Sequence, residues 1–489
     1  MRPSKASKSR LGSVFAISTD TLFHLPMSPS PRSCQILVLG AGPAGCAVAL
    51  GLARWGYDVV VASQWRHYDA IEGISTRTLN GLNQAGLLQA AATAMEPTGR
   101  IVIWNGLETV RNQEHLVDRR RFDEALRRDL SAASVCLITG QVLRWKIHET
   151  GHEVEIETQA GAETWQADFV IEARGRQSPA LAQGRRGPET LSLLHGWRTH
   201  PSGQLAAGVE SLHNGWAWMA HLPDGRCYWQ WTMSPRHDHL PPRQKIAAAT
   251  AALRQSPLSQ RILGVIADSR AIKVHVRVNT STLCKTAGDT HWLRVGDAAL
   301  AADSLSGNGI FQVLSSALQA PAIVHTLLQR PSDASLALAF HQQRAEHLFL
   351  RFARTGRDFY AAEQRWATEP FWHERATWPD DQPLPPSSHS PIQIAMRPVV
   401  DGQYIRRAEV VITDDQPLGM WRVAGIELAG LVRQLQEHLD DPVLREQILR
   451  ERLGYAIPSD RAKVLGWLQN HGMIPITTST HTTHSSPRI

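Results

Sequence analysis

Three glycines near the start of the chain have the spacing that binds the phosphates of a dinucleotide. The run Gly40-x-Gly42-x-x-Gly45 follows a short apolar segment with strand character and precedes a stretch with helical character. In such a turn the first glycine permits a tight bend, the second lets backbone N–H groups approach a pyrophosphate, and the third lets strand and helix pack closely. The helix N-terminus stabilises the phosphate charge. The predicted phosphate site therefore comprises Gly40, Gly42, Pro43, Ala44 and Gly45.

The second strand of this unit lacks the acidic residue that usually binds an adenosine ribose. An apolar run over residues 58–62 predicts the strand, and Ser63 stands where a carboxylate is expected. Ser63 or Gln64 can still hydrogen-bond a ribose, but more weakly than a carboxylate. No second Gly-x-Gly-x-x-Gly run occurs in the chain. We therefore expect one tightly held dinucleotide and no dedicated second Rossmann-type domain.

A second glycine-containing segment follows much later in the chain. Gly296 and Asp297 come directly after an apolar run that predicts a buried strand, so Asp297 can accept hydrogen bonds from hydroxyl groups at the strand end. The turn formed by Gly307, Asn308 and Gly309 precedes a long helical tract. The first N–H groups of that helix can face a ring that carries negative charge.

Four segments around these motifs resemble the FAD-binding segments of the single-component flavin monooxygenases and flavin-dependent halogenases, which share the para-hydroxybenzoate-hydroxylase-like fold. The segments are residues 72–86, 117–126, 167–176 and 294–309. The resemblance covers about residues 34–372. It implies a non-covalently bound FAD, with Arg119 contacting the cofactor and Asp297 its ribityl hydroxyls. Two positions depart from the family pattern, because Arg174 replaces a small hydroxyl residue and Ser304 replaces a proline.

The choice between halogenation and hydroxylation rests on two features of the sequence. Tryptophan halogenases carry Trp-x-Trp-x-Ile-Pro where this chain has Trp216 and Trp218, followed by Ala220-His221 instead of Ile-Pro. They also need a lysine in the first third of the chain, and this chain has no lysine between residues 8 and 146. The resemblance therefore favours hydroxylation by a flavin C4a-hydroperoxide. Alternating tryptophans on a strand are more often core residues; we place this pair near the substrate, and no acid or base residue is identified.

The segment over residues 357–372 and the C-terminal extension resemble flavoproteins that mature tryptophylquinone enzymes, in particular those of quinohemoprotein amine dehydrogenase biogenesis. This resemblance implies a protein substrate, a small crosslinked subunit of an amine dehydrogenase in which a tryptophan is dihydroxylated. NAD(P)H or a reduced-flavin source and O2 are the implied co-substrates. The alternatives are a hydroxylase or halogenase of a small aromatic or indole metabolite, and a flavin-binding regulator.

The order of elements predicts an α/β plus α+β protein with a Rossmann-type FAD-binding domain, an antiparallel-sheet substrate domain and a small winged-helix-like C-terminal domain. The predicted ranges are a disordered tail 1–33, a discontinuous FAD-binding domain 34–189 and 286–375, a substrate domain 190–285, a linker 376–390, the C-terminal domain 391–474, and a disordered tail 475–489. A winged helix suggests DNA, but acidic residues interrupt the basic ones in this region. A protein-docking or core-shielding role is therefore the preferred interpretation.

The composition bounds the remaining classes. The 489 residues include five scattered cysteines, which exclude a disulfide framework and give no pair with metal-ligand spacing, so neither a metal site nor an oxidising compartment is expected. The net charge is +6, but the basic residues are dispersed and indicate no nucleic-acid surface. The sequence shows no uninterrupted apolar run of membrane-spanning length. These features predict a cytoplasmic enzyme without a membrane span.

Overall fold

The computed structural model describes residues 32–66, 68–235, 242–264, 273–307, 309–384 and 391–475. Almost all of the two predicted tails, together with Asn308, lie outside the described residues. The architecture is mixed α/β, as the order of elements predicts.

The first layer is a seven-stranded sheet whose central strands are parallel. Its strands are β1 (Arg32–Leu39), β2 (Val59–Ser63), β6 (Cys136–His148), β7 (Gly151–Thr158), β8 (Gly161–Glu172), β16 (Gly288–Asp289) and β17 (Trp292–Arg294). β1 pairs in parallel with β2 and β8, and β17 pairs in parallel with β8. The carboxyl ends of β1, β2, β8 and β17 therefore meet at one edge, where an open α/β sheet binds its ligand.

The second layer is an eight-stranded sheet that is antiparallel except where β4 pairs with β11. Its strands are β3 (Ile71–Ile74), β4 (Pro97–Trp104), β5 (Leu107–Asp118), β10 (Leu191–Arg198), β11 (Ala206–Leu212), β12 (Gly215–His221), β13 (Arg226–Met233) and β14 (Lys273–Val278). The sheet thus includes three strands from residues 71–118, a range that the sequence interpretation gave entirely to the FAD-binding domain. Pairing between distant strands decides the membership of a sheet, and local patterning does not reveal that pairing.

The helices of the two main layers pack on the faces of these sheets. They are α1 (Pro43–Ala53), α2 (Thr76–Ala85), α3 (Leu88–Ala91), α4 (Arg119–Ala132), α5 (Pro242–Gln255), α6 (Pro257–Leu263), α7 (Gly309–Ala317), α8 (Ala320–Gln329), α9 (Ala334–Ala361) and α10 (Pro370–Ala376). The largest core lies between the parallel sheet and helices that include α1, α4, α7 and α8. A second core lies between the antiparallel sheet and α5 and α6. The opposite face of the antiparallel sheet turns toward α9 and α10. Three further two-residue strands, β9 (Arg185–Arg186), β15 (Thr282–Leu283) and β18 (Leu300–Ala301), form a small sheet beside α9.

The C-terminal region has a core of its own and is also anchored in the main one. Its elements are β19 (Gln393–Asp401), β20 (Tyr404–Thr413), β21 (Gln416–Met420), β22 (Arg422–Val423), β23 (Ile426–Glu427), α11 (Ala429–Glu437), α12 (Pro442–Leu453) and α13 (Pro458–Asn470). The strands β19, β20 and β21 form an antiparallel meander. Ile405 on β20 is fully buried in the core of the parallel-sheet layer, which we call the FAD-binding layer after its predicted ligand. The Ile405 N–H donates to Thr326 Oγ1 at 2.8 Å. The Arg330 guanidinium lies 3.6 Å from the centre of the Tyr404 ring. The winged-helix interpretation stays a prediction.

One segment, Gly309–Gln329, is long and apolar enough to cross a membrane by length and composition. It comprises α7 and α8, with a break between them. Buried side chains on both helices, among them Leu314 and Ile323, belong to the main core. The segment is therefore accounted for as the core of the FAD-binding layer.

Candidate FAD site and substrate-facing pocket

The first turn of the parallel sheet has the backbone geometry that its glycines predict. Gly40 has φ +113°, and a Cβ there would lie 2.5 Å from the Ala173 carbonyl oxygen at the end of β8. A Cβ at Gly45 would overlap the Gly40 carbonyl oxygen. Gly42 differs, because a Cβ at this position would meet nothing within 4 Å. Gly40 and Gly45 are thus needed for packing, whereas Gly42 leaves open space at the N-terminus of α1, where Pro43 is the first helical residue.

The second glycine segment lies directly against this turn. Gly296 has φ +59°, and a Cβ there would lie 2.8 Å from the Ala44 Cβ on α1. The Gly296 N–H donates to Ser316 Oγ on α7 at 3.1 Å. The structure therefore brings the two predicted cofactor segments together, although they are far apart in the sequence.

Asp297 faces the space between these segments. Its side chain is 30% exposed, and its nearest cationic partner is Arg176, whose Nε lies 3.6 Å from Asp297 Oδ2. Burial raises the pKa of Asp297, and the Arg176 charge offsets part of that rise. Arg176 is itself held by the carbonyl oxygens of Thr280 and Ala302 at 2.5 and 2.6 Å. A carboxylate in this position is suited to accept hydrogen bonds from sugar-like hydroxyls.

The structure gives a different result for each of three other predicted cofactor residues, Arg119, Ser63 and Asn308. Arg119 begins α4 and is buried, with Nη1 2.9 Å from Glu72 and Nη2 2.8 Å from Asp123. Those carboxylates fix its position, and its contact with FAD stays a prediction. Ser63 ends β2, and its Oγ donates to the Gln64 carbonyl oxygen at 3.2 Å. Asn308 lies outside the described residues, so the structure says nothing of it.

The loop before α7 is tied to the antiparallel sheet through a buried chain of polar groups. The Tyr360 hydroxyl on α9 donates to Asp303, 3.2 Å from Oδ2, and accepts from Trp216 Nε1 at 3.2 Å. The Leu305 N–H also donates to Asp303 at 2.8 Å. Burial raises the pKa of Asp303. Trp216 is 3% exposed and packs among aromatic residues of α9 and α10, so it serves as a packing residue.

Trp218 is half-buried and lies two residues from Trp216 on the same face of β12, beside a partly buried ion pair. Its register neighbour is Val209 on β11, and Arg100 and Glu114 occupy the next strands, β4 and β5. Arg100 Nη1 lies 3.6 Å from Glu114 Oε2. Arg100 Nη1 is also 3.9 Å from the position that a Cβ on Gly307 would take. The sheet face that carries both tryptophans therefore adjoins the Gly307 turn.

A second basic group faces the same region from the edge of the sheet. The Arg277 guanidinium on β14 lies 4.2 Å from the centre of the Tyr68 ring, and the Arg66 guanidinium lies 5.1 Å from it. Burial and the neighbouring Arg66 charge lower the pKa of Arg277 to about 10. Within the described part of the chain, Arg277 forms no ion pair, so this corner of the pocket favours a negatively charged group.

These features fit FAD. A pyrophosphate fits the open space at Gly42, where the N-terminus of α1 lies. The carboxylate of Asp297 can accept hydrogen bonds from a hydroxylated linker. The Gly307 turn has φ +62° and leads into α7. Gly42, Asp297 and the Gly307 turn are thus the residues that we expect to hold the cofactor, and FAD supplies the oxygen-activating chemistry.

Sequence reasoning did not identify Arg100, Glu114, Tyr360 or Arg277 as site residues. Arg100 and Glu114 lie on strands that the sequence did not assign to the substrate sheet, and a bulge at Gly99/Arg100 sets which residues share a face. Tyr360 lay within a segment that carried the family resemblance, and this was its one available signal.

The comparisons with known proteins agree with this geometry. Residues 33–347 match the family described as FAD binding domain. The solved structure of the peptidyl tryptophan dihydroxylase QhpG, described as essential for tryptophylquinone cofactor biogenesis, is 46% identical. The match covers 91% of this chain and 100% of that one, with a TM-score of 0.76. The flavin-dependent halogenase CmlS has the same fold at 16% identity, with a TM-score of 0.69 over 91% of this chain and 96% of that one.

Two curated proteins are more distant relatives. A tryptophan 2-halogenase from Chondromyces crocatus is 25% identical over 393 residues, which cover 70% of this chain and 72% of the relative. A putative FAD-dependent oxidoreductase, LodB, from Marinomonas mediterranea is 23% identical over 372 residues, covering 70% and 97% of the two chains. The expected FAD cofactor and the superfamily assignment are thereby confirmed. The chain belongs to the FAD binding domain family and is an FAD-dependent monooxygenase.

Proposed function

We propose that this protein hydroxylates a tryptophan side chain within a protein substrate, adding two oxygen atoms to the indole during maturation of a tryptophylquinone cofactor. The observation that carries the proposal is the 46% identity to a peptidyl tryptophan dihydroxylase, over 91% of this chain and 100% of that one. The finer proposal is that the substrate is the crosslinked small subunit of an amine dehydrogenase. The electron donor is NAD(P)H or a reduced flavin, and the reaction takes place in the cytoplasm.

The residues of the pocket have roles that suit an indole substrate. An indole is nucleophilic while neutral, so the protein must orient the ring and exclude water more than it must ionise the substrate. Trp218 is half-buried and offers an aromatic surface to a flat ring, while Trp216 is buried in the aromatic cluster against which Trp218 packs. The chain of hydrogen bonds from Trp216 through Tyr360 to Asp303 fixes that cluster to the loop before α7.

A protein substrate also requires binding energy from outside the pocket. Contacts remote from the reacting ring can position it, since they need not change during the reaction. The C-terminal region is anchored through Ile405 and supplies extra surface beside the FAD-binding layer. We assign it a part in docking the subunit.

The test is mass spectrometry of the crosslinked subunit after incubation with the enzyme, O2 and a reductant. We expect a mass gain of two oxygen atoms located on the indole of one tryptophan, and free tryptophan should be turned over far more slowly. Free tryptophan that reacts as fast as the subunit would contradict the proposal and indicate a small-molecule indole hydroxylase.

A halogenase of a small indole is the second candidate, because a tryptophan 2-halogenase is among the relatives. The lack of a lysine between residues 8 and 146 weighs against it. The same incubation in chloride and in bromide buffer separates the two activities. We expect identical hydroxylated products in both; a product with the isotope pattern of chlorine or bromine would support the halogenase instead.

A further inference from the structure

Glu114 is a buried carboxylate for which the proposed reaction has so far given no use. Its side chain is 7% exposed, and Arg100 approaches one of its oxygens at 3.6 Å. The other oxygen, Oε1, is buried and accepts no hydrogen bond, which is true of no other carboxylate in the described part of the chain. A buried acceptor without a donor costs roughly 1–3 kcal/mol of folding free energy. A functional role for the Glu114 carboxylate would explain this cost.

The neighbours of Glu114 belong to the cofactor turn and to the sheet face that we propose binds the substrate. Arg100, on the adjoining strand β4, reaches from Glu114 to the Gly307 turn. The Trp218 side chain approaches the carboxylate from β12, the third strand along the sheet. Gly73 on β3 provides the room, because a Cβ there would overlap Glu114 Oε2. Strand β5 thus points this side chain into the corner between that sheet face and the cofactor turn.

The other acidic groups of the pocket are already occupied. Asp303 accepts from Tyr360 and from the Leu305 N–H. Glu72 pairs with Arg119 at 2.9 Å. Asp297 lies at the end of the parallel sheet, in the expected position for the cofactor's hydroxyls. Glu114 is left as the acidic group beside Trp218 with a free oxygen.

Hydroxylation of an indole creates a need for such a group. When a ring carbon forms its bond to an oxygen atom derived from O2, the ring becomes cationic and that carbon still carries its hydrogen. Aromaticity returns when the C–H bond breaks, its electron pair re-enters the ring, and the proton moves to a base. The second oxygen atom of O2 leaves as water, with the two electrons coming from a reduced pyridine nucleotide or reduced flavin.

We propose that Glu114 is the general base that takes this ring proton and passes it to solvent once the product has left. The proposal rests on indole hydroxylation being the reaction. Burial raises the pKa of the Glu114 carboxyl above its ordinary value, while Arg100 and Trp218 lower it in part. A carboxylate with a raised pKa is a stronger proton acceptor than an exposed one, and the Arg100 charge favours its anionic form.

The test uses a substrate whose indole ring carries deuterium. The crosslinked subunit is prepared with ring-deuterated and with ordinary tryptophan, and single-turnover product formation is followed for the wild type, Glu114→Gln and Glu114→Asp. For Glu114→Gln we expect product formation to fall about 100-fold, within the usual contribution of a general base. A primary deuterium isotope effect, absent from the wild type, should appear because proton removal becomes rate-limiting. Glu114→Asp should recover part of the rate.

Glu210→Gln is the matched control. Glu210 is also a buried glutamate of this sheet, but it faces α6 and accepts from the Leu258 N–H at 3.3 Å. It should show neither the rate loss nor the isotope effect. FAD affinity, measured by titration of each apoprotein, should match the wild type in Glu114→Gln.

The outcomes separate this proposal from the function itself. If the wild type does not hydroxylate the subunit, the proposed function fails. If the wild type is active and Glu114→Gln forms product at the same rate without an isotope effect, Glu114 is not the base. A Glu114→Gln rate loss without an isotope effect, or loss of FAD binding in both Glu114 variants, would make the carboxylate structural and overturn the proposal.

Discussion

At the scale of single residues, burial sets the behaviour of the titratable groups, and their surroundings decide what each can do. Asp297 faces a space that fits the cofactor, with Arg176 as a distant partner. His195 is fully buried beside Trp229, at 5.4 Å between ring centres. The first is expected to serve binding, whereas the second affects only stability.

Replacing Asp297 with alanine should weaken FAD binding. A hydrogen bond to a charged group contributes about 1.5–3 kcal/mol, so the dissociation constant should rise by one to two orders of magnitude in a fluorescence titration. Asp289→Ala, at an exposed position of the same sheet, is the control and should bind as the wild type does. An unchanged affinity in Asp297→Ala would remove this residue from the site.

His195 should make the protein sensitive to mild acid. Burial lowers its pKa to about 4, and within the described residues neither ring nitrogen has a hydrogen-bond partner. The unfolded chain, with an ordinary histidine pKa near 6.5, therefore binds more protons than the folded one between about pH 6.5 and pH 4. Stability falls as the pH falls through this window, by up to about 1.4 kcal/mol per pH unit.

His195→Leu should be at least as stable as the wild type at pH 7.5 and should lose less stability at pH 5. Thermal unfolding at the two pH values measures this difference. The exposed His148, changed to leucine, should leave the acid sensitivity unaltered. An equal drop in melting temperature for His195→Leu and the wild type would show that another group, such as the buried His341, dominates.

At the scale of elements, the turn between β1 and α1 contains one glycine needed for packing and another expected to serve binding. Gly40 is in a left-handed conformation against Ala173, whereas Gly42 has φ −78° and an open side. Only the first glycine is required by the fold of the turn itself.

Gly42→Ala should therefore leave the melting temperature of the apoprotein unchanged and weaken FAD binding, since the added methyl group enters the open side. Gly40→Ala should destabilise the apoprotein by about 1–3 kcal/mol, because the residue must keep a strained conformation. Calorimetry of the apoproteins and titration with FAD check both. FAD binding unchanged in Gly42→Ala would show that the cofactor does not approach this turn.

At the scale of the whole molecule, the hairpin formed by β19 and β20 joins the C-terminal region to the main core. Truncation after residue 384 would remove Ile405, which is fully buried there, and would leave its cavity open to water. The region is therefore part of the structure of the FAD-binding layer, in addition to any docking role.

Ile405→Ala should destabilise the protein by about 2–5 kcal/mol, the usual cost of deleting a buried isoleucine side chain. The release of FAD should then occur at a lower temperature than in the wild type. Ile457→Ala is the control, because Ile457 is 61% exposed in the same region. FAD release at an unchanged temperature in Ile405→Ala would show that the two regions unfold independently.

The parts of the fold that could be predicted are those encoded locally. Gly40, Gly42 and Gly45 predicted a strand, a turn and a helix, because the glycine spacing and the flanking apolar runs all lie within one short segment. Asp297 was singled out for the same reason, and its contact with the cofactor stays a prediction. Glu114 and Ile405 could not be predicted. The hairpin that carries Glu114 joins the antiparallel sheet only through the pairing of β4 with β11, about 100 residues away, and packing between domains buries Ile405.

The long separation in sequence between Gly45 and Asp297 also has a consequence during synthesis. A ribosome exposes β1, the glycine turn and α1 early, but β17 and the Gly296 turn, which close the site from the other side, follow much later. A nascent chain that ends before β17 has half of a cofactor site and an unpaired edge on β8. FAD capture is thus a late event in translation, and a pause before β17 would leave an apolar strand edge open to other nascent chains.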